Sequence, residues 1–194
     1  MLIGIDASRA VAARPTGTEV YSQRLIQALL ALESPHRFRL YFRSPPPVGA
    51  FAGAERRVIP CPRLWTHLRL SLEMARHPPD VLFVPAHVLP VVHPRRSVVT
   101  VHDLGYLYYP HAHRLFDRLY LRWSTRYNTR AASHLLADSQ ATRDDLVRHC
   151  GIPPQKVTVV YPGLDPALRP ADEEAIAAVR RRYALPDDCL LYTS

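Results

Sequence analysis

Short apolar runs alternate along the chain with longer stretches whose apolar positions recur every three or four residues. The runs fall at residues 2–8 (LIGIDAS), 37–42 (RFRLYF), 56–60 (RRVIP), 80–85 (DVLFVP), 97–103 (SVVTVHD), 133–139 (SHLLADS) and 156–166 (KVTVVYPGLDP), the last closing in a turn. Each reads as a strand. Between them, residues 18–33 predict a helix with Tyr21, Leu25, Ala28, Leu29 and Leu32 on one face. Residues 64–76 predict another, with Leu64, Trp65, Leu68, Leu72 and Ala75 together and Leu70 and Met74 opposite, against a neighbouring loop. A helix over residues 140–150 stops at Gly151 and the Pro153-Pro154 pair. The Pro/Gly-rich stretch 44–53 is a loop. Strands separated by helices or long crossovers imply an α/β fold: a Rossmann-like parallel sheet with helices on both faces.

Residues 113–130 predict a helix of a different kind. Arginines recur at Arg114, Arg118, Arg122, Arg126 and Arg130, while Phe116, Leu119, Tyr120, Trp123 and Tyr127 share another face. Such a basic amphipathic helix suits phospholipid headgroups, and equally a helix whose aromatic face packs on a sheet. Core packing is the expected job of these aromatics. The net charge of +8 invites a polyanion, yet Lys156 is the only lysine, and an arginine-rich solvated surface explains the excess. Among polyanions, anionic lipid is favoured over nucleic acid. A chain that is 47% hydrophobic and 22% charged fits a globular domain, and no apolar run approaches the roughly 20 residues needed to span a bilayer. Together with a start lacking a basic leader region, this predicts a cytoplasmic protein, peripheral at the inner face of the cell membrane if the basic helix meets lipid. Cys61, Cys150 and Cys189 are too far apart in sequence to suggest a metal site or disulfide framework.

Candidate chemistry concentrates where strands end. In open α/β sheets ligands bind beyond the carboxyl ends of the strands, and the run 97–103 ends on His102 and Asp103, two residues before Gly105. His102 is the candidate to hydrogen-bond a substrate hydroxyl or stabilise developing charge, with Asp103 positioning its ring or accepting a second bond. Gly17 precedes a helix whose first turn offers backbone N–H groups to a phosphate or sugar hydroxyl, although no GxGxxG fingerprint is present. Ser139 is placed to cap the helix over 140–150, and Arg143, one turn on, can face the same cleft. His111 and His113 lack the helical spacing of zinc motifs and there is no D-x-D, so no metal is expected.

Four blocks carry a resemblance: GTEVYSQRLIQALL (17–30), TVHDLGYLYYP (100–110), ADSQATRDDLVRHCGIPPQKVTVVYPGLDP (137–166) and ALPDDCLLY (184–192). In this order they resemble the amino-terminal half of glycosyltransferase family 4, with the GT-B fold, over almost the whole chain. The resemblance implies two Rossmann-like domains facing across a cleft, the first holding mainly the acceptor and the second the nucleotide-sugar donor. It matches His102 to a histidine near the transferred sugar, Gly17 and Thr18 to a loop near the donor phosphates, and Ser139 to a cleft-facing serine. With Tyr21 and Arg143 these complete the candidate substrate- and phosphate-binding set. It further implies a retaining hexosyltransferase that needs no metal or other cofactor, while the basic helix points to a glycan or lipid-linked acceptor presented at a membrane surface. Residues 1–169 become the acceptor-side domain, and 170–194 an interdomain segment and the start of the donor domain. Beyond a strand like CLLY the family continues with a glycine-bearing loop, a basic pair and an E-x7-E motif. These are absent, and Thr193-Ser194 stand where Val-Gly is expected, so the chain reads as a fragment inactive alone. Two other readings are a sugar-nucleotide epimerase of the same fold and a stand-alone sugar- or phosphate-binding module.

Overall fold

Seven parallel strands build the sheet: β1 (Leu2–Asp6), β2 (Arg37–Phe42), β3 (Glu55–Val58), β4 (Val81–Val84), β5 (Ser97–Val101), β6 (His134–Ala137) and β7 (Val157–Val159). Their order is β3-β2-β1-β4-β5-β6-β7, with every neighbouring pair parallel. The order reverses between β1 and β4, and such a switch point opens a crevice at the carboxyl edge. This computed structural model describes residues 1–13, 15–61, 64–86, 88–164 and 168–186. The strand-like run 189–192, with Cys189, Thr193 and Ser194, lies outside the described residues.

Alternation of side chains divides the core in two. Leu82 and Val84 of β4, Val99 and Val101 of β5, and Leu135 and Ala137 of β6 face one cluster, while Phe83, Val98 and Leu136 face the other. Both faces of the sheet are therefore buried, which is why these strands read as continuous apolar runs. Gly4 in β1 is required by packing: a Cβ there would lie 2.7 Å from Cγ of Pro79 and 2.9 Å from Cε2 of Tyr41. Met1–Pro162 form one compact unit and Gly163–Ser194 a second. The second carries helix α6 (Glu173–Tyr183), whose Ala175 N–H donates to the capping Asp172 carboxylate at 2.8 Å.

Three helical faces depart from the periodicity. Helix α1 (Gly17–Ala31) buries Glu19, Ser22 and Ile26 with Leu25 and Leu29 alongside, whereas Ala28 and Leu32 are exposed. The buried stripe centres on small and polar side chains that an apolar count passes over. Residues 65–76 reverse the expected faces. They begin as a π-helix, Trp65–Leu70, and continue as α2 (Ser71–Arg76). The wider π turn adds a residue, so burial passes from Trp65 to Leu70, Ser71 and Met74, leaving Leu64, Leu68 and Leu72 exposed. The third is α4 (Leu115–Ala131), which buries Ser124, Thr125, Asn128 and Thr129. Its aromatic face is not core: Phe116 is 84% and Trp123 48% exposed. The polar side is turned inward because it is used. Asn128 Oδ1 accepts the Leu89 N–H at 3.0 Å, and Lys156 Nζ donates to the Thr129 carbonyl at 2.7 Å. Of the aromatics only Tyr127 is half-buried, its hydroxyl donating to the Pro90 carbonyl at 2.9 Å.

Candidate active site

Register alone brings the central pair together. Val101 of β5 is paired with Ala137 of β6, so the next residues, His102 and Asp138, leave the sheet side by side. His102 Nδ1 stands 2.5 Å from Asp138 Oδ2, and Nε2 stands 3.0 Å from the Pro85 carbonyl oxygen. Both ring nitrogens face acceptors, an arrangement only the doubly protonated ring satisfies by donating twice. Burial is the largest single influence on His102 and opposes that charge, yet Asp138, the Pro85 carbonyl and Asp103 together outweigh it and raise the pKa above the ordinary histidine value. Tyr21 closes one side, edge-to-face, with ring centroids 4.9 Å apart.

The partner of His102 is thus Asp138, not the expected Asp103. Asp103 Oδ1 instead accepts the Gly105 N–H at 2.7 Å, forming the turn into α3 (Gly105–Tyr108). An aspartate two residues before a free N–H closes such a turn locally, whereas Asp138 arrives from the adjacent strand. Helix α5 (Gln140–Cys150) fixes the backbone behind the histidine: Ser139 Oγ accepts the Thr142 N–H at 3.1 Å, and Thr142 Oγ1 donates to the His102 carbonyl at 3.0 Å. Ser139 is therefore a cap that positions His102 through Thr142. Neither Ser139 nor the half-buried Arg143 lines the cleft that His102 borders.

That cleft has a volume of about 520 Å³ and is also lined by Thr18, Asp103 and His113. Arg9, Thr16 and Glu19 form its wall on the side of α1. The helix terminus is not an open anion site. Glu19 Oε2 accepts the Thr16 N–H at 2.9 Å and the Thr16 hydroxyl, while Oε1 pairs with Arg9 Nη1 at 2.8 Å. The Thr16 hydroxyl above all, then its N–H and Arg9, holds the Glu19 carboxyl below its usual range against the effect of burial. Gly17 is exposed, and a Cβ on it would meet nothing within 4 Å, leaving room for close approach beside Thr18. The sequence reading missed Arg9, Glu19 and Asp138. The T-x-x-E spacing of Thr16 and Glu19 is a capping-box signal legible in the sequence, while Asp138 required the strand register.

A parallel sheet with a switch point, and a cleft at its carboxyl edge walled by a histidine-carboxylate pair and a capped helix, define a Rossmann-like domain. The profile of Glycosyltransferase Family 4 matches residues 15–168, and the chain belongs to that family. Over 62 residues it is 45% identical to the D-inositol 3-phosphate glycosyltransferase of Streptomyces bingchenggensis, covering 31% of this chain and 13% of that protein. Over 97 residues it is 23% identical to the O-antigen chain mannosyltransferase RfbU of Salmonella typhimurium, covering 50% of this chain and 26% of that one. The fold is similar to that of WaaG, a glycosyltransferase involved in lipopolysaccharide biosynthesis, with a TM-score of 0.59, 16% identity, and coverage of 96% of this chain and 52% of WaaG. It is likewise similar to Anabaena Alr3699/HepE in complex with UDP-glucose, with a TM-score of 0.55, 17% identity, and coverage of 94% and 49%. The chain spans about half the length of these structures and corresponds to the amino-terminal domain of a GT-B glycosyltransferase.

Proposed function

We propose that this chain is the acceptor-side domain of a retaining glycosyltransferase that moves a hexose from a nucleotide sugar to a glycan or lipid-linked acceptor. Residues 1–169 form that domain, and residues 170–194 lead into the half that binds the donor. The observation that carries the reading is His102, held between Asp138 and the Pro85 carbonyl at the edge of the cleft. In the reaction the acceptor hydroxyl oxygen bonds to the anomeric carbon as the bond from that carbon to the diphosphate oxygen breaks. The hydroxyl proton passes to the departing diphosphate on the same face. A charged imidazolium beside the cleft stabilises the negative charge that develops on these oxygens. Thr18 and the open flank of Gly17 supply a second approach to donor or acceptor oxygens. Without the donor half the diphosphate has no counter-charge, so this chain alone has negligible activity.

In the complete two-domain enzyme, His102→Ala is expected to leave the fold intact and to lower turnover at least about tenfold, roughly 1.4 kcal/mol of transition-state stabilisation. Near-normal turnover returns His102 to a purely structural role.

The acceptor is presented at an anionic membrane, and the exposed face of α4 meets it. Phe116, Leu119 and Trp123 stand in solvent on the same helix as the exposed Arg122, Arg126 and Arg130, the combination that binds headgroups. No helix among the described residues is long and apolar enough to cross a membrane; a surface contact at the cytoplasmic leaflet is what this reading requires. Flotation with phosphatidylglycerol vesicles tests it: binding unchanged when Arg118, Arg122 and Arg126 become Gln removes the membrane from the account.

A further inference from the structure

A second hollow adjoins the His102 cleft, and its chemistry differs. It has a volume of about 470 Å³ and opens where β1 and β2 end, between Ser8 and Arg9 on one side and Arg43 on the other. Arg9 and Tyr120 line both hollows, so they are a shared wall. The His102 cleft includes the carboxylates Glu19 and Asp103; among the described residues lining the second hollow there is none. Instead two guanidinium groups stand with the hydroxyls of Ser8 and Thr66 and the imidazole of His67.

We infer that this hollow binds an oxyanion group, a phosphate or a carboxylate, carried by the acceptor whose reacting hydroxyl lies beside His102. The inference rests on the acceptor-side reading proposed above and adds the class of acceptor. Its physical basis is that each arginine is already oriented by the protein. Arg43 Nε donates to the Cys61 carbonyl at 2.9 Å, and Arg9 Nη1 is held by Glu19 at 2.8 Å. A guanidinium fixed in this way loses less side-chain entropy on meeting an oxyanion, and its planar donors suit two oxygens at once. Trp65 gives the hollow a rigid floor: it is buried, and its indole N–H donates to the Ile59 carbonyl at 2.7 Å. Tyr120 supplies an apolar flank for the carbon frame between anion and hydroxyl.

The test is a binding measurement on this chain, read by NMR from the Trp65 indole N–H. Glucose 6-phosphate is expected to give a saturable shift and glucose at the same concentration none. Arg43→Gln is expected to weaken the response at least about fivefold, Arg43→Lys to retain part of it, and Arg56→Gln, on exposed β3, to change it less than about twofold. Arg9→Gln is a second route should Arg43→Gln disturb the Cys61 contact. A parallel titration with phosphatidylinositol vesicles against phosphatidylcholine vesicles separates sources. An Arg43-dependent response to the soluble sugar phosphate identifies a free anionic acceptor, and one to the vesicles alone identifies a lipid headgroup. Either supports the inference. No Arg43- or Arg9-dependent response to any of these, or an equal loss in Arg56→Gln, overturns it. Turnover does not enter the readout, so a complete enzyme without transferase activity would refute the proposed function while leaving this binding result standing.

Discussion

Two carboxylates leave the sheet at its carboxyl edge, Asp6 at the end of β1 and Asp138 just beyond β6, and their surroundings act in opposite ways. Asp6 is 2% exposed, and its Oδ1 accepts the Ser8 N–H at 3.0 Å, while Oδ2 is buried with no partner among the described residues. Burial pushes its carboxyl up to about 6, against the hydrogen bonds from Ser8 and the charge of Arg9. Asp138 instead meets His102 at 2.5 Å and helps raise the imidazole's pKa. The lesson is that one residue type at one kind of strand end either holds on to its own proton or maintains a cation nearby. Which occurs depends on what the adjacent strand delivers.

The largest expected effect lies on the Asp6 side. A carboxyl whose folded pKa stands above its unfolded value gives up stability as pH rises from the unfolded value, near 4, to the folded one, and does not regain it above. With the folded value near 6, the change is on the order of 3 kcal/mol. Asp6→Asn, which keeps an acceptor for Ser8 without a titrating proton, is expected to remove this decline between pH 4 and 6. Urea unfolding across that window measures it, and an unchanged decline places its origin in another group.

Asp138→Asn comes next, with an expected cost of about 1.5–3 kcal/mol, the range for a hydrogen bond to a charged group. Because the folded pKa of His102 is raised, the stability it gains from its charge is complete below the unfolded histidine value and is lost as pH rises through the folded one. The substitution is therefore expected to cost more at pH 6 than at pH 9. Equal losses at the two pH values would show that the pair stabilises the fold without a charged imidazole. The two aspartate variants thus carry pH signatures of the same sign in different windows: each removes a stability loss that accompanies rising pH, Asp6→Asn between pH 4 and 6 and Asp138→Asn across the His102 titration.

What could be read in the sequence follows the range of the interactions. The strands, their parallel arrangement, the Gly151 stop of α5 and the placement of His102 at a strand end all arise from local pattern, and each appears in the fold. The helical faces did not follow the apolar count. A π turn between Trp65 and Leu70 leaves no mark in hydrophobic spacing, yet it moves the buried stripe from Leu68 and Leu72 to Leu70 and Met74. In α4 the apolar face was legible and its exposure was not, because the polar face takes the inner side, where the Asn128 side chain accepts the buried Leu89 N–H. The His102 partner was hidden for another reason: Asp103 is adjacent in sequence, but the β5–β6 register places Asp138 against the ring.

The smallest effect isolates the histidine side of the comparison. Tyr21 is half-buried with its ring edge-to-face on His102, and burial raises its own pKa against the nearby Thr100 hydroxyl. Edge-to-face ring pairs contribute about 0.5–1.5 kcal/mol beyond the area they bury. A cycle built from Tyr21→Leu, His102→Ala and the double variant is expected to return a coupling of that size at pH 6. The coupling separates two roles that a single substitution merges, since Tyr21→Leu alone also removes packing on α1. A coupling near zero would mean that the two rings are neighbours without an energetic bond, leaving Asp138 and the Pro85 carbonyl to hold the imidazole by themselves.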